Sequence, residues 1–158
     1  MESGFEYYDL GRIDYADALK QQTTAFDTLL QAKASGMQEI NRLFFCEHNP
    51  VLTIGKSGKD SNLLIPEDLL RLKGVSFYHI NRGGDITYHG PGQITGYPIF
   101  DIECWNFGLK QYIHQLEETI IRFLALYSIK GERLDGATGV WIDCLLYTSP
   151  SPRDGLLS

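Results

Sequence analysis

No stretch of the sequence approaches the roughly 18 consecutive apolar residues that a membrane-spanning helix requires, so no segment is expected to cross a bilayer. The first residues, Met1-Glu2-Ser3-Gly4-Phe5-Glu6, lack the basic start and apolar core of an export signal. Cysteine is scarce. Cys46, Cys104 and Cys144 lie far apart with no Cys-x-x-Cys pair, which argues against a disulfide framework or a zinc site and suits a reducing compartment. A cytoplasmic location is therefore expected. No basic run exceeds two residues and the formal net charge is −6, so the surface would repel a polyphosphate backbone and nucleic acid is not an expected partner. Repeats are missing, and so is any linker dividing the chain. What remains is ordinary: 43% hydrophobic and 22% charged residues over 158 positions, enough for one domain with a core.

The patterning predicts alternating strands and helices. Phe5–Leu10 reads as a strand. From Tyr15 the positions Leu19, Gln22, Phe26, Leu29 and Lys33 recur every three or four residues, widened by Ala18, Ala25 and Leu30; this is an amphipathic helix with Asp14 as N-cap and Gly36 as stop. Arg42–Glu47 and Val51–Ile54 are β-rich runs separated by His48-Asn49-Pro50, and they are expected to pair as a hairpin. Lys56–Ser61 reads as a loop, Pro66–Leu72 as a short helix stopped by Gly74, and Val75–Ile80 and Ile94–Ile102 as strands. Leu109, Ile113, Leu116, Ile120, Phe123, Leu124 and Tyr127 mark a second long helix, and Val140–Ile142 begins another strand. The expected class is α/β or α+β, a mixed β-sheet covered by helices.

The segment that suggests chemistry is Asn81-Arg82-Gly83-Gly84-Asp85-Ile86-Thr87-Tyr88-His89-Gly90-Pro91-Gly92-Gln93. Paired glycines let a backbone turn sharply and come within contact of a ligand. Arg82 can add a charge-assisted bond to a carbonyl or carboxylate oxygen, and His89 and Gln93 can exchange protons or hydrogen bonds. Alternation would put Ile86 and Tyr88 on one face of a strand and Thr87 on the other. Neither a phosphate-cradling loop ending in Gly-Lys-Ser/Thr nor a Gly-x-Gly-x-x-Gly fingerprint is present. A plain glycine-rich hairpin is the competing reading, but it gives no reason for so many polar side chains among four glycines.

Arg82 through Gln93 resembles the signature of the octanoyltransferases that begin protein lipoylation. Flanking stretches are similar as well: Glu47–Gly55, Asn62-Leu63-Leu64, Tyr97–Ile102, Leu116-Glu117-Glu118 and Gly139-Val140-Trp141. The resemblance implies the fold shared by biotin and lipoate protein ligases. It also implies an acyltransferase that takes octanoyl from acyl carrier protein as a cysteine thioester. Acceptors would be lysines on the lipoyl domains of oxoacid dehydrogenases and on the glycine-cleavage H protein, with no metal and no ATP. It assigns Arg82, Gly83, Gly84, Asp85, Ile86, Thr87, Tyr88 and His89 to the acyl-substrate site. Two other readings stand beside it: an ATP-dependent lipoate or biotin ligase, and a non-catalytic module binding acyl chains or lipoyl domains.

The family's activating lysine and its Pro-Cys-Gly nucleophile, both C-terminal to Gly-Val-Trp, have no counterpart here. Cys46 reads as a buried strand thiol, and Cys104 sits in an acidic setting that disfavours a thiolate. No catalytic residue is therefore assigned, and the chain is expected to be inactive as it stands. His48 reads as a turn hydrogen-bonder that the resemblance puts near the pocket. Lys56, Lys59, Arg71 and Lys73 cluster in sequence and offer a basic patch for an acidic carrier. From Cys144 to Asp154 the chain resembles a translated sequencing-library adapter at every position. The expected organisation is a catalytic domain over 1–143, incomplete at its C-terminus, followed by a non-native tail over 144–158.

Overall fold

The computed structural model describes residues 4–37, 40–143 and 145–148. The chain forms two units, one ending at Asp101 and the other beginning at Ile102.

The first unit opens with β1 (Gly4–Ile13), which runs through α1 (Tyr15–Ala34) into β2 (Ile40–His48), parallel to β1. The second edge of β2 is taken by β6 (Ile94–Ile99), antiparallel, giving the order β1-β2-β6. α1 buries Tyr15, Ala18, Gln22, Ala25 and Leu29. The buried stripe is rotated from the one read in the sequence: Leu30 is exposed, and Lys33 forms an ion pair with Asp101 at 3.0 Å. Small Ala18 and Ala25 let the helix approach the sheet closely. Ala25 and Leu29 then join Phe44, Cys46, Tyr97 and Ile99 in a core to which each large side chain contributes about 1.5–3 kcal/mol. Asp14 stands at the N-cap, but its carboxylate accepts from Asn49 Nδ2 at 2.6 Å and does not cap the helix. At the other end Met37 N–H reaches Ala32 O and Gly36 N–H reaches Lys33 O, with Gly36 at φ +63°, a Schellman stop.

The expected β2–β3 hairpin does not form. β3 (Val51–Ile54) lies in a second sheet, between β4 (Ser76–His79), parallel, and β5 (Ile86–His89), antiparallel. Both edges of β2 and of β3 are occupied by other strands, so nothing is left for the two to share. Asn49 is instead fastened to the end of β1, through Ile13 O and the Arg12 side chain. β6 also stops short of the expected Ile102, because the Asp101 N–H donates to the buried Asn41 side chain at 2.7 Å and leaves the ladder. A 3₁₀ turn at Asp60–Asn62 and α2 (Glu67–Leu72) carry the chain from the end of β3 back to the start of β4. The four basic residues of the proposed patch are divided by this return: Lys56 and Lys59 follow β3, while Arg71 and Lys73 precede β4 at the opposite end of the sheet, with Arg71 already paired to Glu67 at 2.7 Å.

In the second unit α3 (Leu109–Ala125) is followed by the antiparallel sheet β7 (Glu132–Leu134), β8 (Ala137–Ile142) and β9 (Leu145–Thr148). Leu124 and Val140 meet above Gly131, where a Cβ would lie 2.8 Å from Leu124 and 2.9 Å from Val140. Two stretches distant in sequence form one node there. Buried Glu117 accepts the Gly139 N–H at 2.8 Å and the Arg133 Nε–H at 3.0 Å, and Arg133 also reaches Glu118 at 3.0 Å. Glu117→Gln keeps the shape but loses the charge from these bonds, and is expected to lower stability by about 2 kcal/mol, read by denaturant unfolding. β9 falls in the stretch set aside as foreign to the fold. It pairs with β8 through main-chain hydrogen bonds, which require no side-chain pattern.

Candidate functional site

β3 is the centre of the second sheet, and its Thr53 is fully buried. Pairing sets Thr53 opposite Thr87 and Val51 opposite His89 on one face, and Leu52 opposite Tyr88 and Ile54 opposite Ile86 on the other. The expected alternation is therefore present, and it divides the sequence-assigned site. Thr87 and His89 face the side where Tyr15, His48 and Tyr78 gather, while Ile86 and the half-exposed Tyr88 face away from it.

Arg82 to Asp85 form a loop lying on Gly55. Main-chain carbonyls of the loop point at the end of β3: Asp85 O accepts from Gly55 N–H at 3.1 Å, Arg82 O from Lys56 at 2.9 Å and Gly84 O from Ser57 at 3.1 Å. This close approach excludes a side chain at residue 55, where a Cβ would stand 2.6 Å from Gly84 O and 2.9 Å from Arg82 O. Gly84 takes φ +86°, in the left-handed region that glycine tolerates.

The Arg82 guanidinium turns back into the loop. Its Nη2 lies 3.0 Å from Thr53 O, 3.0 Å from Thr53 Oγ1, 2.8 Å from Asp85 O and 2.7 Å from Thr87 Oγ1, and its Nη1 donates to Gly83 O at 2.9 Å. All these acceptors are neutral. The carboxylate of Asp85 is held elsewhere, by Asn62 Nδ2 at 2.7 Å. Arg82 thus fastens the loop to β3 and β5 while leaving its positive charge unneutralised by any ion pair among the described residues. Thr53, Gly55 and Asn62 were not singled out from the sequence as site residues. The signal was present in the similarity of the Glu47–Gly55 and Asn62 stretches, but nothing in spacing alone links them to Arg82.

His89 ends β5. Its Nδ1 lies 2.7 Å from Gln93 Oε1 across a turn in which Gln93 N–H donates to Gly90 O at 3.1 Å, and Glu47 Oε2 accepts the Gly92 N–H at 2.9 Å. His48 is fully buried, with Nδ1 3.2 Å from Ile13 O and Nε2 2.6 Å from the Tyr97 hydroxyl. Burial holds the His48 pKa below its ordinary 6.5; the Ile13 carbonyl opposes that shift, and His89 adds to it. An unfolded chain would take up the proton more readily. The stability contributed by the neutral ring is therefore complete above pH 6.5 and falls as pH drops through the folded pKa. Thermal midpoints are expected to decline on acidification below pH 6.5, and less steeply in His48→Asn.

Cys46 Sγ lies 3.5 Å from His48 Nε2, a spacing that resembles a nucleophile with its base. The chemistry does not support that role. The imidazole lone pair already accepts from Tyr97, the thiol is 3% exposed, and burial pushes its pKa up to about 11. Native Cys46 is expected to stay unmodified by iodoacetamide in neutral buffer and to react only after denaturation, as read by peptide mass spectrometry. No cluster of metal-ligating side chains occurs among the described residues, and none of their helices is long and apolar enough to cross a membrane. A shallow cleft of about 250 Å³ lined by Gly4, Phe5, Glu6 and Ile40 lies at the start of β1, apart from the glycine-rich loop.

Residues 14–150 match the family described as the lipoyl protein ligase A/B catalytic domain. The chain belongs to this family. Curated relatives of the lipoyl ligase A/B family include an octanoyltransferase of Parabacteroides distasonis, 79% identical over 143 residues that make up 90% of this chain and 64% of that protein. Another, from Porphyromonas gingivalis, is 51% identical over 89% of this chain and 29% of its own. The chain thus spans less than two thirds of the length of these relatives. Among solved structures, an archaeal bi-partite lipoate protein ligase from Thermoplasma acidophilum superposes with a TM-score of 0.59 at 16% identity, over 90% of this chain and 52% of that one. A lipoate-protein ligase A bound with ATP gives 0.53 at 14% identity, over 87% and 53%. These structures share the fold, which agrees with the mixed α/β architecture expected from the sequence.

Proposed function

We propose that this chain is the acyl-binding part of an octanoyltransferase, and that Arg82–His89 holds the octanoyl group. The supporting observation is the loop closed over Gly55 by Arg82, which holds backbone and positive charge at the end of β3, where β5 begins. The 79% identity to the Parabacteroides octanoyltransferase favours this activity over that of an ATP-dependent ligase. In the proposed reaction a cysteine thiolate attacks the carbonyl of octanoyl-acyl carrier protein and expels the carrier thiolate. The amine of a lipoyl-domain lysine then attacks the new thioester, loses a proton and regenerates the cysteine thiol. The nucleophile and the lysine that favours its thiolate are proposed to lie C-terminal to Trp141, outside the 1–143 portion, and residues 144–158 are read as a non-native tail, although the family match runs on to residue 150. Octanoyl-acyl carrier protein, lipoyl domains and the glycine-cleavage H protein are the proposed partners, and the cytoplasm the proposed location.

The test uses the gene sequenced from codon 139 to its natural stop and the protein it encodes. That protein is expected to add one octanoyl group to a lipoyl domain from octanoyl-acyl carrier protein without ATP, read by intact mass. Modification that requires free octanoate and ATP would instead establish the ligase reading. An uninterrupted reading frame through Ser158 to a stop would leave only a binding module.

A further inference from the structure

The end of β2 touches the glycine-rich segment at two points that acyl binding does not explain. Glu47 accepts the Gly92 N–H at 2.9 Å, and the His48 ring stands edge-on to His89 with centroids 6.0 Å apart at 66°. His48 is itself locked. A carbonyl can only accept, so the contact with Ile13 O puts the hydrogen on Nδ1; Nε2 then carries the lone pair that receives the Tyr97 hydroxyl at 2.6 Å. Turning this ring over would break both bonds inside a fully buried site. Tyr15 adds a further edge contact at 5.5 Å.

His89 faces a side-chain amide instead, which can offer an acceptor oxygen or a donor nitrogen. The structure turns Gln93 Oε1 to Nδ1 at 2.7 Å, an arrangement in which Nδ1 carries the hydrogen and Nε2 is left with the lone pair. That arrangement lasts only while Gln93 keeps its place. Gln93 belongs to the Gly90–Gln93 turn, and Gly92, at φ +85°, directs its N–H to Glu47. One contact thus fixes the turn and the other fixes the ring.

We propose that Glu47 and His48 are positioning residues for His89: Glu47 holds the turn that bears Gln93, and the immobile His48 edge limits rotation of the His89 ring, so that His89 Nε2 is presented as a proton acceptor in the glycine-rich segment. The bearing of this arrangement on substrate rests on the acyl-binding reading of that segment; the geometry does not.

The experiment is long-range proton–nitrogen NMR of the full chain labelled in histidine, in alkaline buffer where imidazoles are neutral. Wild-type His48 and His89 are each expected as a single Nδ1–H tautomer, the minority form of a free imidazole. Glu47→Ala is expected to turn His89 into a tautomer mixture with little change in thermal midpoint, and Glu47→Gln, whose amide oxygen can still accept from Gly92, to restore the single form. His48→Asn keeps a donor for Ile13 O but removes the ring edge, and is expected to release His89 likewise. If His48→Asn does not fold, Glu47→Ala decides. A His89 that stays in one Nδ1–H tautomer in folded Glu47→Ala overturns the proposal.

Binding of a small-molecule S-octanoyl thioester is measured on the same samples, with a weakening of about tenfold expected in Glu47→Ala, a difference of about 1.4 kcal/mol. Equal binding by wild type and Glu47→Ala would overturn the link to substrate. No binding by wild type, together with a fixed His89 tautomer, would sink the acyl-binding reading and leave the positioning intact.

Discussion

Gly55→Ala is expected to open the Arg82–Asp85 loop and to cost about 3 kcal/mol, the upper end of what overpacking a close-packed site costs. The reason lies in what the new methyl group would meet. Its Cβ would fall 2.6 Å from Gly84 O, 2.9 Å from Arg82 O and 3.0 Å from Gly83 O. These are backbone oxygens of one short loop, and none can swing aside as a side chain would. Moving them breaks the bonds that Gly55, Lys56 and Ser57 donate to Asp85, Arg82 and Gly84. Urea unfolding should show the loss of stability, and octanoyl thioester binding should fall together with it. A Gly55→Ala protein with wild-type stability and binding would mean that the loop does not rest on β3 as the structure has it.

Arg82→Lys preserves charge and is nevertheless expected to be damaging. A guanidinium presents a planar fork of donors, and here that fork serves Thr53, Gly83, Asp85 and Thr87 together. An ammonium offers three donors from one point and cannot span acceptors spread over β3, the loop and β5. The orphaned acceptors include the oxygens of Thr53, which is fully buried. Arg82 is only half-buried, so water can replace part of what is lost. A cost of about 2 kcal/mol follows, equivalent to a rise of about thirtyfold in hydrogen exchange at Gly55, Lys56 and Ser57 if these amides exchange through loop opening. Because every acceptor is neutral, added salt should alter this difference little. Exchange rates matching the wild type would show that another group holds the loop.

Much of this site was legible in the chain itself. The run from Arg82 to Gln93 announced a loop needing glycine and carrying polar groups, and strand alternation correctly separated Ile86 and Tyr88 from Thr87. Helix limits were likewise local matters: Gly36 and Gly74 end α1 and α2 because a left-handed residue there closes the last turn. Strand partnership was not legible. His48-Asn49-Pro50 looks like the turn of a hairpin, yet Asn49 bonds to the end of β1 and the chain passes into another sheet. The four basic residues close in sequence between 56 and 73 are likewise separated by the return through α2.

What the sequence determined by itself was the family, the mixed α/β class and the glycine-rich run proposed as the site, because these depend on residue identity and on periodicities of two and of about 3.6 that neighbouring residues set among themselves. Only the tertiary structure decided which strands pair, where Arg82 directs its donors, and that Glu47 and His48 stand against the His89 turn. Those outcomes turn on contacts between residues tens of positions apart, such as Arg82 with Thr53 and Glu47 with Gly92, where many partners of equal chemistry exist and packing selects among them.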